Sequence, residues 1–253
     1  MAYIAKKTKF DYESIPAGYY HDVLEKGNNV QKFWHSQKFQ YLIDIIKAEN
    51  ISSKSLLVDV GTGPGTFLFM LNKQLPNIIC EGVDISSNQI EFAQNKTDEL
   101  QLSNLKFIKV DNEKLPYADN SVDIVTTVEV AEHLLPYQAM KTAVEVKRIL
   151  KPNGKWIVTT PNYRSLWPII EVGLNFFSPV KYQEQHISKF TPNSLVKFVE
   201  SGGFDVIDVR TLFFLAPFYS FLSKKLAKRI MNIENSMKFP GSLLVCICTP
   251  IRE

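Results

Sequence analysis

The feature that most constrains how this chain can fold is a glycine-rich turn that follows a short apolar run. Residues 55–66 have the sequence Ser-Leu-Leu-Val-Asp-Val-Gly-Thr-Gly-Pro-Gly-Thr. The apolar residues 56–58 are suited to a buried strand, and glycines at alternate positions let the backbone turn tightly and let a ligand approach the main chain. A helix that begins after this turn presents unpaired N–H groups at its amino end. The pattern therefore predicts a nucleotide-sized site at the carboxyl edge of a sheet.

Acidic residues end the next two predicted strands. Residues 78–86 predict a second strand that ends at Asp84, about 20 residues beyond the glycines. A carboxylate at this position can accept two hydrogen bonds from a ribose diol. A third strand is predicted over Leu105–Val110 and ends at Asp111 and Asn112. These strand ends are expected to meet at the same edge of the sheet.

The remainder of the chain alternates predicted strands with predicted helices. The further strands are Ile124–Val128, Trp156–Thr160, Phe204–Leu212 and Ser242–Thr249, and the clearest helices are Ser87–Leu100, capped by Ser87, and Thr191–Ser201. A Pro-Gly turn at residues 152–154 is expected to precede Trp156–Thr160. A chain of 253 residues with 45% apolar and 22% charged residues suits one globular α/β domain with additions.

The spacing of the glycines distinguishes two kinds of nucleotide site. It is G-x-G-x-G here, whereas the dinucleotide fingerprint is G-x-G-x-x-G. Preceded by Val-Asp-Val, this pattern resembles motif I of the class I S-adenosylmethionine-dependent methyltransferases. Segments 115–123, 129–134 and 148–155 are similar to later motifs of that family and occur in its order. The resemblance covers roughly residues 15–250 and is to the ubiquinone-pathway O-methyltransferase-like branch.

This resemblance implies a fold and a domain organisation. The fold is a doubly wound α/β fold, with a mostly parallel seven-stranded sheet whose final strand is antiparallel. Residues 1–50 would form a helical N-terminal lid and residues 51–253 the methyltransferase domain, with substrate-side insertions at about 163–190 and 212–240. An ordinary helix packed on the sheet is an equally good interpretation of residues 1–50.

The resemblance also implies S-adenosylmethionine as the cofactor. The cofactor-binding residues would be Asp59, Gly61, Thr62, Gly63, Asp84, Ile85, Asp111, Asn112 and Val128. Asp84 would hold the ribose, Gly61 and Gly63 would pass beneath the methionine moiety, and Asp111 and Asn112 would border the adenine. Thr62 departs from the family pattern, in which many relatives carry Cys, but it is also small. A tight turn that binds nothing is the alternative.

The candidate catalytic residues follow the fourth predicted strand. Methyl transfer is an in-line displacement, and an activated methyl donor leaves the protein mainly to align the two partners. An oxygen nucleophile also benefits from losing its proton, and His133 is the leading general base, with Glu132 beside it.

A metal site is the second interpretation of these residues. The arrangement Glu129-x-x-Glu132-His133 matches one found in metal-using branches of the superfamily, and His186 is a fourth candidate ligand. Two carboxylates and imidazoles can hold a divalent cation such as Mg²⁺, which can bind a substrate hydroxyl and lower its pKa. The same Glu-His pair occurs in metal-free relatives, so both interpretations stay open.

Apolar aromatic runs indicate the substrate. They lie at 163–180 and 212–222, and the second is followed by Lys224, Lys225, Lys228 and Arg229. They favour a substrate with an apolar portion, such as an isoprenoid, lipid-linked or aromatic molecule, and together with the candidate base His133 they lead us to expect O-methylation of an apolar small molecule. Carbon or nitrogen methylation of a small metabolite, or a catalytically silent cofactor-binding module, are the alternatives. The second run could line a closed pocket or make peripheral contact with an anionic membrane surface.

Charge and cysteine usage bear on partners and location. The formal net charge of +3 is too small to predict nucleic-acid binding. The three cysteines, Cys80, Cys246 and Cys248, all lie in predicted strands and are expected to be reduced. A cytoplasmic enzyme, with or without peripheral membrane contact, is therefore expected.

Overall fold

The computed structural model describes residues 12–49, 51–111, 114–177 and 185–252. Within them, a seven-stranded sheet has the order β3-β2-β1-β4-β5-β7-β6. The strands are β1 Leu56–Val60, β2 Ile79–Asp84, β3 Leu105–Lys109, β4 Val122–Val128, β5 Leu150–Pro161, β6 Phe204–Leu212 and β7 Leu243–Pro250. Neighbours among β1 to β5 pair in parallel, and β7 is antiparallel to both β5 and β6. The predicted doubly wound sheet is confirmed.

Helices cover both faces of this sheet. The described α-helices are α1 Tyr19–Lys26, α2 Asn29–Ala48, α3 Thr66–Gln74, α4 Ser87–Glu99, α5 Pro136–Ile149, α6 Trp167–Phe177, α7 Pro192–Ser201, α8 Ala216–Tyr219 and α9 Lys224–Met237. Short 3₁₀ helices lie at Tyr12–Ser14 and Ala131–His133. Among the described residues, no helix is both long enough and apolar enough to cross a membrane.

The apolar strands are explained by burial on two faces. Successive side chains of a strand point to opposite faces, so Leu57 packs in a core with Leu42 and Ile43 of α2, whereas Val58 packs in a second core with Val146 of α5. A strand buried on both faces needs apolar residues at nearly every position. From β1 the chain adds β2 and β3 on one side of the sheet and then returns to add β4 and β5 on the other side. This switch in strand order creates a crevice at the carboxyl ends of β1 and β4.

Two local predictions are corrected by the structure. The side chain that caps α4 is Ser86, which accepts the N–H of Gln89 at 3.4 Å, and the predicted cap Ser87 is the first residue of the helix. The predicted turn at residues 152–154 lies inside β5, because the pairing with β4 skips from Leu150 to Lys155. A local insertion keeps the strand continuous, while the inserted residues do not pair with the neighbouring strand.

Residues 12–20 are attached to the amino end of α4. The Glu13 carboxylate accepts hydrogen bonds from the Ser87 N–H at 2.6 Å and the Ser86 hydroxyl at 2.9 Å. Gln89 accepts from the Gly18 N–H at 3.1 Å and donates to the Ile15 carbonyl at 3.2 Å. A carboxylate at a helix amino end is stabilised by unpaired N–H groups and by the helix dipole, so this segment has a fixed position.

The remainder of the N-terminal region is part of the α/β layers. The buried side chains of α2 include Phe39, Leu42, Ile43 and Ile46, which belong to the core beneath the sheet. Residues 29–48 therefore act as a structural helix, and the part of this helix that carries Trp34 and Lys38 also borders the crevice. The predicted domain boundary at residue 50 stays a prediction.

Candidate active site

The three glycines of the turn have left-handed backbone conformations but different surroundings. The φ angles of Gly61, Gly63 and Gly65 are 75°, 53° and 73°. A Cβ atom on Gly61 would lie 2.5 Å from the Val130 side chain, and one on Gly65 would lie 2.4 Å from the Phe107 ring. A Cβ on Gly63 would meet nothing within 4 Å. Packing therefore requires two of the glycines, whereas Gly63 leaves open space beside bare backbone.

Asp84 lies beside this open space. One of its carboxylate oxygens accepts the N–H of Gly63 at 2.7 Å, and the other accepts the N–H of Ser86 at 2.9 Å. Burial raises the pKa of Asp84 above its ordinary value, and these backbone donors oppose that effect. Because the two carboxylate oxygens have two lone pairs each and the Ile85 N–H is a third backbone donor, the carboxylate keeps at least one acceptor position for a ligand.

Asp59 lies deeper, at the carboxyl end of β1. Its side chain is buried and accepts the hydroxyl of Thr126 at 2.6 Å. Burial raises the pKa of Asp59 to about 7. This carboxyl group is therefore partly protonated near neutral pH and can donate or accept a hydrogen bond at the floor of the crevice.

A single cavity of about 860 Å³ joins the glycine turn to the segment after β4. The predicted cofactor residues that line it are Asp59, Gly61, Thr62, Gly63, Asp84, Ile85, Asp111 and Val128. Asn112 lies outside the described residues. The aromatic residues Tyr19, Tyr20 and Trp34 of the N-terminal region also line the cavity, and so do Glu129, Glu132, His133 and His186.

Three of the four predicted metal ligands meet at the far end of this cavity. Glu132, His133 and His186 each offer one ligand atom within 4.8 Å of the others. Glu132 is fully buried, and one of its oxygens accepts the hydroxyl of Thr160 at 2.9 Å. The other oxygen has no hydrogen-bond partner among the described residues. Burial raises the pKa of Glu132 to about 7, so the orphaned oxygen is suited to a proton or a cation.

The imidazoles of the cluster are oriented by groups outside it. His133 Nδ1 lies 3.3 Å from the backbone carbonyl oxygen of Gln185. Because a carbonyl oxygen only accepts hydrogen bonds, we infer that Nδ1 carries the proton and Nε2 carries the lone pair. Burial and the neighbouring His186 lower the pKa of His133 to about 4, so this imidazole is neutral at pH 7.

His186 is held in the same manner by an acidic residue. Its Nδ1 lies 2.6 Å from Glu171 Oε1, and the same oxygen accepts the Tyr163 hydroxyl at 2.7 Å. Both Glu171 and His186 are buried. A carboxylate that accepts the Nδ1 proton fixes the tautomer of the ring and leaves the lone pair on Nε2.

Glu129, the fourth predicted ligand, lies outside this cluster and has a different partner. It forms an ion pair with Lys38 of α2, whose side chain is buried. Burial raises the pKa of Glu129, but Lys38 and His35 outweigh this effect and hold the pKa below its ordinary value. The pair joins residues that are 91 positions apart.

Sequence reasoning did not identify Lys38, Glu171 or Tyr163 as residues of the site. Lys38 lies on a helix whose apolar positions alone predict packing, and Glu171 lies within an apolar segment in which it is an isolated charge. An acidic residue inside an apolar helix is a signal that a buried partner exists. That signal cannot name the partner.

Comparisons with known proteins agree with this geometry. Residues 51–171 match the family model of a methyltransferase domain. The ubiquinone biosynthesis O-methyltransferase of Coxiella burnetii is 28% identical over 190 residues, which are 71% of this chain and 79% of the relative.

Two solved structures have the same fold. The superposition on the PH0226 protein from Pyrococcus horikoshii OT3 covers 96% of this chain and 100% of that protein, with a TM-score of 0.66 and 18% sequence identity. The geranyl diphosphate C-methyltransferase from Streptomyces coelicolor A3(2), in complex with Mg²⁺, geranyl diphosphate and S-adenosyl-L-homocysteine, has a TM-score of 0.64 and 15% identity. This superposition covers 94% of this chain and 86% of the C-methyltransferase.

The sheet order and the glycine turn at the carboxyl edge define a Rossmann-like methyltransferase fold. Residues 51–171 match a methyltransferase domain, and the chain resembles the class I S-adenosylmethionine-dependent methyltransferases, with sequence similarity to the ubiquinone biosynthesis O-methyltransferase. The prediction that the chain is a methyltransferase is confirmed.

Proposed function

We propose that this enzyme transfers a methyl group from S-adenosylmethionine to a hydroxyl group of a small molecule with an apolar portion. One observation carries the proposal: a single cavity contains both the glycine turn with Asp84 and the cluster Glu132, His133 and His186. S-adenosylmethionine, when bound, supplies an activated methyl group. The protein residues bind and orient the two partners and manage the proton of the acceptor.

The residues of the glycine side fit this cofactor. The open space at Gly63 admits a ligand against bare backbone, and Asp84 keeps an acceptor position suited to a ribose hydroxyl. A volume of about 860 Å³ lies high in the range of roughly 300–1,000 Å³ typical of ligand sites. It therefore has room for a cofactor together with part of an acceptor.

The aromatic and aliphatic residues of the cavity lining favour an apolar acceptor. Trp34, Phe39, Trp167, Ile170 and Phe218 line the cavity. An acceptor with an isoprenoid, lipid-linked or aromatic portion would bury apolar area against them. The names of the relatives point in the same direction, since one acts in ubiquinone biosynthesis and another methylates geranyl diphosphate.

The proton of the acceptor hydroxyl is assigned to the cluster. His133 is neutral, and its inferred tautomer leaves the Nε2 lone pair to accept a proton. Glu132 has a pKa near 7 and can exchange a proton with the same region. In the absence of a metal, His133 would accept the hydroxyl proton through Nε2 and, because its pKa is about 4, pass the proton to Glu132, whose pKa of about 7 makes it the final acceptor.

A divalent cation held by the same three residues is the second candidate. The unpartnered oxygen of Glu132 and the two imidazoles, each held through Nδ1, form a donor set of one oxygen and two nitrogens. Such a set suits Mn²⁺, Fe²⁺ or Zn²⁺ better than Mg²⁺, which prefers oxygen ligands. A bound cation would supply a Lewis acid that lowers the pKa of a hydroxyl. Glu129 would stay paired with Lys38.

The acceptor assignment is tested by product analysis. The enzyme is incubated with S-adenosylmethionine and a phenol that carries an isoprenoid chain, and separately with the same phenol without the chain. We expect S-adenosylhomocysteine and an O-methyl product, with the chain-bearing phenol favoured in kcat/KM. A methyl group on carbon, found by NMR, would replace O-methylation by C-methylation. No turnover with any hydroxyl, amine or carbon acceptor, despite cofactor binding, would favour a silent module.

The metal assignment has a readout that does not depend on turnover. Mn²⁺ and Mg²⁺ are titrated calorimetrically into the chelator-treated protein, and we expect Mn²⁺ to bind more tightly. Glu132→Gln should weaken Mn²⁺ binding by at least about tenfold, since it removes the anionic ligand. Glu200→Gln, an exposed change of the same kind on α7, is the control. Absence of binding together with full activity in excess chelator would leave His133 as a metal-free base.

A further inference from the structure

An apolar turn with two well exposed side chains connects α8 and α9. The exposed fractions of Phe221 and Leu222 are 77% and 72%. The backbone of the turn is regular, because the Phe221 N–H donates to the Phe218 carbonyl at 3.2 Å and the Leu222 N–H donates to the Tyr219 carbonyl at 3.1 Å. Two adjacent large apolar side chains in water contribute nothing to the core, so the fold does not explain their presence.

This turn is presented on a fixed support. The buried carboxylate of Glu234 in α9 accepts the backbone N–H groups of Leu215 at 2.7 Å and Ala216 at 2.9 Å, which holds the start of α8 against α9. The buried Ser220 hydroxyl lies 3.1 Å from the Asn29 carbonyl oxygen at the start of α2. The exposed position of the turn is therefore set by hydrogen bonds on both sides of it.

Four basic residues follow the turn directly. Lys224, Lys225, Lys228 and Arg229 are exposed, and none forms an ion pair with another residue that the structure describes. At a rise of 1.5 Å per residue they lie within about 8 Å of one another along the helix axis. Positive charges at the amino end of a helix oppose its dipole, so these residues do not serve the stability of α9.

The turn is continuous with the mouth of the cavity. Phe218 lies three residues before Phe221; it lines the cavity and is 45% exposed. Ile169 of α6 also lines the cavity and is 72% exposed. Side chains that both line a cavity and reach solvent border its opening. The apolar surface thus runs from the opening of the cavity to the turn and ends at the basic cluster.

We propose that the turn Phe221–Leu222 and the basic cluster of α9 dock this enzyme on an anionic lipid bilayer, with the cavity opening at the bilayer surface. An anionic bilayer fits this surface because apolar side chains can insert below the lipid headgroups while the adjacent cations contact anionic headgroups. The role of the contact, delivery of an apolar acceptor from the bilayer, rests on the proposed function. The contact itself does not require that function.

Co-sedimentation with vesicles tests the contact. The full chain is mixed with vesicles of phosphatidylcholine alone, or of phosphatidylcholine with phosphatidylglycerol, at two salt concentrations. We expect binding to the anionic vesicles only, and weaker binding at high salt, because salt screens the surface potential. Replacement of Lys224, Lys225, Lys228 and Arg229 by Gln should weaken binding by roughly 1,000-fold. Phe221→Ser with Leu222→Ser should weaken it by at least about tenfold.

A matched variant controls for total charge. Lys47, Lys54, Lys73 and Lys106 are exposed and lie away from the cavity, and their replacement by Gln removes the same charge. This variant should keep binding. Equal loss in the control, no binding by the unmodified protein, or equal affinity for single-stranded RNA would each overturn the proposal. Thermal unfolding verifies that every variant is folded, and calorimetric titration with S-adenosylmethionine tests the proposed function separately.

Discussion

Replacing Asp59 by Asn should remove a destabilising pH dependence from the cofactor-free protein. Asp59 is buried at the end of β1, and burial raises its pKa to about 7 in the folded chain. In an unfolded chain the pKa of an aspartate is near about 3.9. Asn keeps an oxygen that can accept the Thr126 hydroxyl, so the substitution removes the ionisation and preserves this hydrogen bond.

The sign and the magnitude follow from these two pKa values. Between them the folded state binds more protons than the unfolded state, so the stability of the fold decreases as the pH rises. The contribution of Asp59 is fully present below about pH 4 and is lost by about pH 7. A difference of about 3 between the pKa values corresponds to about 4 kcal/mol in total. About 3 kcal/mol of this falls between pH 5 and pH 8.

Urea unfolding of both proteins at pH 5, 6, 7 and 8 measures this contribution. The difference in unfolding free energy between Asp59→Asn and the unmodified protein should move by about 3 kcal/mol in favour of the variant across this interval. Other titrating groups are common to both proteins and cancel. A constant difference would show that Asp59 is ionised throughout and that the burial argument is wrong.

Two further predictions concern the glycine turn and the buried ion pair. Gly63→Ala should keep the fold, at a cost of about 1–2 kcal/mol for a left-handed alanine, but weaken S-adenosylmethionine binding at least about tenfold. Gly65→Ala should lower the melting temperature further, because its Cβ meets the buried Phe107 ring. An unchanged cofactor affinity in Gly63→Ala would refute the idea that the cofactor lies against the backbone at Gly63. Lys38→Met should lower the free energy of unfolding in urea by about 3 kcal/mol. This value is at the low end for a broken buried ion pair, because Glu129 borders the cavity. Adding Glu129→Gln to the Lys38→Met protein should restore most of the lost unfolding free energy. No recovery would show that the broken ion pair does not cause the loss.

The frame of the site could be predicted because it depends on local patterns. Asp59 and Asp84 end apolar runs, and the carboxyl ends of parallel strands meet at one edge of a sheet. The glycine turn can be recognised in the sequence, since its left-handed backbone conformations are available mainly to glycine. These constraints act within about 30 residues, which a sequence pattern can reveal.

The support of the site could not be predicted, because it depends on long-range pairs. Lys38 meets Glu129 only after α2 packs on the sheet, and nothing in the sequence around either residue names the other. Glu171 and His186 are 15 positions apart and join two elements. The exposed turn at Phe221 was predicted only as part of an apolar run, because periodicity cannot separate it from buried Phe213.

The central claim is that the cavity beside Asp84 binds S-adenosylmethionine, and calorimetric titration tests it most directly. The cofactor is titrated into the unmodified protein, into Asp84→Ala and into Asp98→Ala, an exposed change of the same kind near the far end of α4. We predict measurable binding to the unmodified protein, an unchanged affinity in Asp98→Ala, and a loss of about 1–3 kcal/mol in Asp84→Ala, since a charged acceptor to the ribose is removed. Unchanged affinity in a folded Asp84→Ala protein, or tighter binding of NAD than of S-adenosylmethionine, would contradict the account.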